Sequence, residues 1–169
     1  MTALAFASGV ACAFTYALEP LWRELSVGLI FGVVVAAWLY RLRLATPAKA
    51  AGFVPVSLVA WMIAERTAIE LFDRLPGETS NFLSVNGLMT GIAAGLVGSG
   101  LLFAGAALLL PCFRDRGAAL ATVGAGGVLG ALLTLIDVTD SALVLFPPWQ
   151  AGVAFCLALA LPRPGATSP

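Results

Sequence analysis

The chain of 169 residues contains no histidine and only three cysteines, and these two features exclude many functional sites. Without histidine there is no His-ligated haem, no Ser-His-Asp or Cys-His nucleophilic site, no HExxH helix and no His-based proton relay. Cys12, Cys112 and Cys156 are far apart and have no CxxC spacing, so we interpret them as small hydrophobic residues. No Walker loop or dinucleotide fingerprint is present. We therefore expect no cofactor and no metal.

Charge is also scarce. Only 11% of the residues are charged, 60% are hydrophobic, and the mean hydropathy is +0.99. A soluble domain has roughly 25% charged residues. Nine acidic and nine basic residues cannot coat a water-soluble globule of this length, so much of the surface must face lipid. The net charge is zero, and nothing in the composition indicates nucleic-acid binding.

Six apolar segments approach the length of a transmembrane helix, which needs roughly 20 residues with about 17 as a lower limit. They span residues 3–18, 26–40, 50–69, 86–110, 118–136 and 141–161. We predict an all-α fold, a polytopic bundle of about six transmembrane helices in one domain over residues 1–162. Residues 163–169 are predicted to be a disordered tail.

The third segment changes character near its end. After Ala64 it continues with charged residues of opposite sign at i,i+4 spacing, namely Arg66, Glu70 and Arg74. An apolar stripe accompanies them. We expect an amphipathic extension that leaves the bilayer or lies on its surface.

Two adjacent prolines, at positions 147 and 148, interrupt the sixth segment. We therefore expect its spanning part to begin only at Trp149. Asp140 or Ser141 is suited to cap the helix that follows them.

The charges divide into two groups along the chain. One group contains six basic residues and one acid: Arg41, Arg43, Lys49, Arg114, Arg116 and Arg163, with Asp115. The other contains eight acids and three basic residues: Glu19, Glu24, Glu65, Glu70, Asp73, Glu78, Asp137 and Asp140, with Arg23, Arg66 and Arg74. The positive-inside rule makes the first group cytoplasmic, which predicts six crossings with both termini in the cytoplasm, in a bacterial inner membrane.

Small residues recur every fourth position in the fourth segment, at Gly87, Gly91, Gly95 and Ser99, and the fifth segment contains Gly126 and Gly130. In lipid, such glycine-zipper faces let helix backbones approach closely. We interpret them first as packing between the fourth and fifth helices. The alternatives are a homodimer face or contact with a larger membrane complex, and a wall along which a substrate slides.

The first segment has alanines at the same spacing, at Ala3, Ala7 and Ala11. The high alanine content of the chain can also produce this pattern. An Ala-xxx-Ala face on the first of six helices, in a chain of this size, resembles the substrate-binding subunits of energy-coupling-factor vitamin transporters. The resemblance implies a membrane-embedded subunit that binds a small solute.

Five charged residues are candidates for a binding site. Glu65 and Arg66 directly follow an apolar run, where charges are costly and often functional, but at a helix exit we favour an interfacial structural role, with a polar site near the outer face as the alternative. Glu19 and Asp137 are predicted on the same side of the membrane. Asp137 and Asp140 could bind a cation or form an acid pair, but helix capping explains them better.

Three classes of function remain. A transporter, channel or membrane-embedded transporter subunit for a small solute fits a glycine-rich bundle with an interrupted sixth helix. A non-catalytic structural or assembly subunit of a larger membrane complex would dock through small-residue faces. A lipid-modifying enzyme is the least favoured class, because the sequence contains no recognisable acid-base or nucleophile set. A transporter predicts polar groups converging on an internal cavity, and an assembly subunit predicts a solid core.

Overall fold

The computed structural model describes residues 1–15, 20–75 and 83–161, without the side chains of 20–24 and 137. Within these ranges the chain is helical and contains no strand, which confirms the predicted all-α class. The α-helices are α1 Thr2–Thr15, α2 Pro20–Arg41, α3 Pro47–Arg74, α4 Val85–Leu109, α5 Arg116–Gly130, the single turn α6 Ile136–Thr139 and α7 Phe146–Leu159. Short 3-10 helices occupy Pro111–Arg114, Ala131–Leu135 and Ala142–Val144. Glu19 and the predicted tail lie outside the described residues.

Four helical stretches are long and apolar enough to cross a membrane, and they support the prediction of an integral membrane protein. They are Pro47–Arg74, Val85–Leu109, Arg116–Leu135 and Ala142–Leu159. Two further apolar helices, Thr2–Thr15 and Leu25–Arg41, are shorter. The 14 residues of α1 measure about 21 Å along the helix axis, against a hydrocarbon core of about 30 Å.

Side-chain caps fix the starts of the three longest apolar stretches. The Thr46 hydroxyl accepts from the amide of Lys49 at 3.4 Å before α3, and Ser84 accepts from Gly87 at 3.1 Å before α4. Asp115 Oδ1 accepts from the amide of Ala118 at 2.7 Å before α5. Each cap satisfies one of the amides that a helix N-terminus leaves without an intrahelical partner.

Helix α3 is continuous from its apolar part through its charged part. Its 28 residues measure about 42 Å, more than the hydrocarbon core requires. The last turns are exposed, and Arg74 pairs there with Glu70 at 3.1 Å. The amphipathic extension is therefore part of the same helix and not a separate surface element.

The chain between α5 and α7 is more irregular than the sequence indicates. After Gly130 the α-helix narrows to a 3-10 helix, and Asp140 takes a left-handed conformation with φ 47°. Ser141 caps the next 3-10 helix by accepting from Leu143 at 3.2 Å. Helix α7 begins at Phe146 and not at Trp149, because prolines in the first turn block no intrahelical bond.

The six long helices form a closed ring in chain order, in which α7 packs against both α5 and α1. Contacts reverse direction between successive helices. For example, Gly28 of α2 lies against Leu58 of α3. Gly32, one turn further along α2, lies against Val54, which is one turn earlier in α3, so the two helices are antiparallel. The ring therefore alternates up and down around a central space.

The two ends of the ring differ in charge. At one end, Arg43 and Lys49 lie beside Leu110 and Pro111, so the basic connections after α2 and α4 are neighbours. Because α1 and α7 run antiparallel, Met1 lies near the end of α7, at this same end. We call it the basic end, and we call the opposite end, where α3 and α6 finish, the acidic end.

Candidate functional site

A cavity of about 320 Å³ lies inside the ring, between α2, α3, α4 and the start of α7. Its lining comes from residues 27–31, 57–69, 91–102 and 145–150, together with Gly130, Leu133 and Ile136. These stretches belong to the parts of the helices that are farther from the basic end. The cavity therefore occupies the half of the bundle that faces the acidic end.

Small residues shape one wall of this cavity. A Cβ added to Gly91 would overlap the carbonyl oxygen of Gly130, and one added to Gly95 would overlap that of Gly126. A Cβ on Gly126 would in turn overlap the hydroxyl of Ser99. The backbones of α4 and α5 are thus in direct contact along this face. Gly91, Gly95 and Gly130 also line the cavity, so the same positions leave its wall free of side chains.

Ser99 and Gly87 have local roles as well. The Ser99 hydroxyl donates to the carbonyl oxygen of Gly95 at 2.6 Å and lies 3.4 Å from that of Val123 on α5. Gly87 is buried in the first turn of α4, where its amide donates to the cap Ser84. Of the six predicted packing residues, five therefore lie at the contact between α4 and α5, and Gly87 lies at the helix start.

Of the five predicted binding residues, the structure places Glu65 at the cavity, where it is half-buried. Arg66 is exposed and is not among the described lining residues. Asp140 is exposed in the connection between α6 and the following 3-10 helix. Glu19 and the side chain of Asp137 lie outside the described residues, although Ile136, next to Asp137, lines the cavity.

Four aromatic residues are also among the residues that line the cavity. Trp61 and Phe146 are in edge-to-face contact with centroids 5.6 Å apart, and Phe31 and Trp149 are tilted with centroids 6.3 Å apart. The indole N–H of Trp61 is buried and has no hydrogen-bond partner in the described part of the chain. A buried donor without a partner is costly.

A buried polar contact between α1 and α7 was not predicted from the sequence. Gln150 is fully buried and lines the cavity. Its Oε1 lies 2.5 Å from the hydroxyl of Ser8, and its Nε2 donates to Cys12 Sγ at 3.2 Å. The sequence did contain a signal for this contact, because Gln150 lies within an apolar segment and polar residues inside a membrane helix usually face the bundle interior.

The cysteines have no common site. Cys12 and Cys156 are buried on α1 and α7, and Cys112 is half-buried in the connection after α4. Burial raises the pKa of the Cys112 thiol, so at neutral pH it is protonated and a poor nucleophile. Across the described residues, no three histidine, cysteine or acidic side chains are grouped as metal ligands would be.

In comparisons with known proteins, no family model, no curated protein and no solved structure matches the chain. The resemblance to energy-coupling-factor substrate-binding subunits therefore gains no support from them.

Proposed function

We propose that the protein is a small-solute transporter, or the membrane-embedded solute-binding subunit of one. The proposal depends on one observation, the central cavity of about 320 Å³. Small-molecule sites in proteins are typically about 300–1,000 Å³, mostly apolar, with a few placed polar groups. Here the polar side chains in the described lining include Glu65, Trp61 and Gln150, of which the Gln150 amide already bonds to Ser8 and Cys12 on α1.

The cavity is more than a gap between loosely packed helices. Gly91 and Gly95 bring α4 into backbone contact with α5 on one side, while the same residues leave space on the other. An unfilled void of this kind is destabilising in proportion to its volume. A bound solute would offset that cost.

We further propose six crossings, with both termini in the cytoplasm and the chain in a bacterial inner membrane. The alternating ring supports this, because the basic connections after α2 and α4 and the residue Met1 lie at one end. The positive-inside rule then makes the basic end cytoplasmic. In this orientation the cavity lies in the outer half of the membrane, where a solute would arrive from outside the cell.

The test uses a matched pair of substitutions on α4. Ala94 lines the cavity, whereas Ala104 is exposed on the outer surface of the same helix. We expect wild-type protein purified in mild detergent to retain a small molecule detectable by mass spectrometry. Ala94→Phe should lose it, because the ring occupies the cavity, and Ala104→Phe should keep it. Uptake of the identified molecule into proteoliposomes would then measure transport.

Equal retention by both variants would place the molecule elsewhere and contradict a cavity site. Purification of the wild type without any small molecule, but in fixed ratio with one protein, would favour the alternative function. The unfolding midpoint of each variant shows whether a loss of binding reflects a loss of fold.

That alternative, an assembly subunit of a larger membrane complex, is favoured by one observation. Ala3, Ala7 and Ala11 are all exposed on α1 and form a face to which another helix could dock. The glycine face of α4 is less suited to this role, because α5 already covers it. A homodimer or a larger complex would therefore form through α1. Changing Ala7 to Leu should dissociate such a complex and leave solute retention unchanged.

A further inference from the structure

We propose that the solute is an organic cation, a small molecule with an ammonium group attached to an apolar body. This inference rests on the proposed function, since it specifies what the central cavity binds. It depends on the aromatic lining, on the charge of the lining and on the charge of the end that the cavity faces.

The aromatic lining suits an ammonium group. Trp61 and Trp149 line the cavity from α3 and α7 with half-buried rings, and Phe31 and Phe146, each 2% exposed, pack against them. The face of an aromatic ring has negative electrostatic potential, and cations within about 6 Å of its centre are attracted to it. The attraction is strongest for tryptophan and where water is excluded. Two of the four rings here are tryptophans, and the cavity is enclosed by helices on several sides.

Edge-to-face contacts help to hold the rings in place. Trp61 packs against Phe146 at an interplanar angle of 70°, and Phe31 lies against Trp149 at 56°. The indole N–H of Trp149 also donates to the carbonyl oxygen of Gly126 at 3.3 Å, which fixes the ring relative to α5. Rings held in this way lose little conformational entropy when a ligand binds.

The charge of the lining is of one sign. Glu65 is the one acidic residue among the described lining residues, and none of them is lysine or arginine. Glu65 follows Trp61 by four positions on α3, so the carboxylate and the indole lie one turn apart on the same helix face. A cation between them would contact both.

The acidic end provides an independent argument. Of the described side chains at this end, four are acidic and two are basic, a net charge of −2: Glu65, Glu70, Asp73 and Asp140, with Arg66 and Arg74. Clefts with an excess of one charge concentrate ligands of the opposite charge and speed their association. Asp73 and Asp140 are exposed acids at this end, whereas the charge of Glu70 is compensated by Arg74. A cation approaching from this side would be attracted before it reached the cavity.

The test measures binding of radiolabelled benzyltrimethylammonium to the purified full-length protein in detergent. Competitors are its neutral carbon isostere neopentylbenzene and the anion benzoate. We expect neopentylbenzene to compete about tenfold less well, because it has the same shape without the charge. Benzoate should not compete. This comparison needs no variant, so it does not depend on how any substitution affects folding.

Substitutions then assign the contacts. Glu65→Gln should weaken binding of the cation about tenfold, as expected for loss of a Coulombic contact with a nearby carboxylate. Glu70→Gln is the matched control on the same helix, because Glu70 is exposed and pairs with Arg74 outside the cavity lining, and it should bind as wild type does. Trp61→Leu should weaken binding roughly fivefold, and Trp61→Phe less, because it retains an aromatic face.

Equal competition by neopentylbenzene, with no effect of Glu65→Gln, would overturn the cation inference. It would leave the cavity as a site for an apolar solute. Absence of benzyltrimethylammonium binding, together with a neutral or anionic copurified molecule that Ala94→Phe displaces, would likewise overturn the inference and retain the proposed function. Retention of the copurified molecule by Ala94→Phe would instead contradict the function itself.

Discussion

At the scale of single residues, glycines that look alike in the sequence have different surroundings. The backbone of Gly95 on α4 lies directly against that of Gly126 on α5, so a methyl group has no room there. Gly124, two residues from Gly126, has nothing within 4 Å of the position where a Cβ would lie. The difference depends on which side of α5 each glycine occupies.

Gly95→Ala is therefore expected to destabilise the protein, because the added methyl group forces α4 and α5 apart. We expect a loss of about 1–3 kcal/mol in the free energy of unfolding, as for other overpacked interiors. Gly124→Ala is the control and should be neutral or stabilising by up to about 1 kcal/mol, because alanine favours the helix. Denaturant titration of the purified protein followed by circular dichroism measures both. Equal stability of the two variants would contradict a close contact at Gly95.

The sequence indicated some of the site residues and missed others, for identifiable reasons. The four-residue spacing of Gly91 and Gly95 is visible in the sequence because helix geometry places such positions on one face. Gln150, which joins α7 to α1, was not predicted, because its partners are about 140 residues away in the chain. Trp61 and Phe146 could not be paired for the same reason.

At the scale of helices, the starts are set by short-range chemistry. Asp115 caps α5 with a bond of 2.7 Å, whereas Thr46 caps α3 with a longer bond of 3.4 Å. Helix α3 also begins with Pro47, whose fixed φ already favours the first turn. The two caps should therefore differ in how much they stabilise their helices.

Asp115→Ala is expected to lower the free energy of unfolding by about 1 kcal/mol, since it leaves the amide of Ala118 without its partner. Thr46→Ala should cost less, because its bond is longer and the proline remains. The denaturant titration used for the glycine variants compares them. If Thr46→Ala lowered the free energy of unfolding more than Asp115→Ala does, the length of the capping hydrogen bond would not explain how much each cap stabilises its helix.

The irregular helices show the limits of local rules. The sequence predicted an interruption near the prolines at 147 and 148, but it placed the start of the spanning helix three residues too late. Prolines end a helix that precedes them and are accepted in the first turn of one that follows. Here the second condition applies, because Leu145 accepts from the amide of Trp149 at 3.0 Å and extends α7 back through both prolines.

At the scale of the whole molecule, the closed ring explains how these helices enclose a cavity. Helix α7 contacts both α5 and α1, so the last helix completes the ring around the cavity. The outer surface is strongly apolar, with large side chains such as Leu108 and Leu120 more than three-quarters exposed. Exposed apolar groups on this scale are consistent with a surface that faces lipid.

The proposed orientation predicts which end of the ring is accessible from outside the cell. In a variant with its three cysteines replaced, a new cysteine is introduced at Arg114, exposed at the basic end, or at Thr139, exposed at the acidic end. We expect a membrane-impermeant maleimide to label Thr139→Cys in intact cells. Arg114→Cys should be labelled only after permeabilisation. The reverse pattern would invert the topology, and labelling of both in intact cells would contradict an ordered bilayer orientation.

The sequence by itself determined the class of protein. Its composition indicates a membrane protein, its apolar segments predict helices, and its charges divide into a basic and an acidic group. These three properties can be predicted from the sequence because each depends on local chemistry or on composition. Only the tertiary structure decided that Glu65 lies at a cavity with Trp61 and that Arg66 and Asp140 do not. Side chains from α2, α3, α4 and α7 meet there because the ring closes, and helix periodicity contains no information about which helices become neighbours.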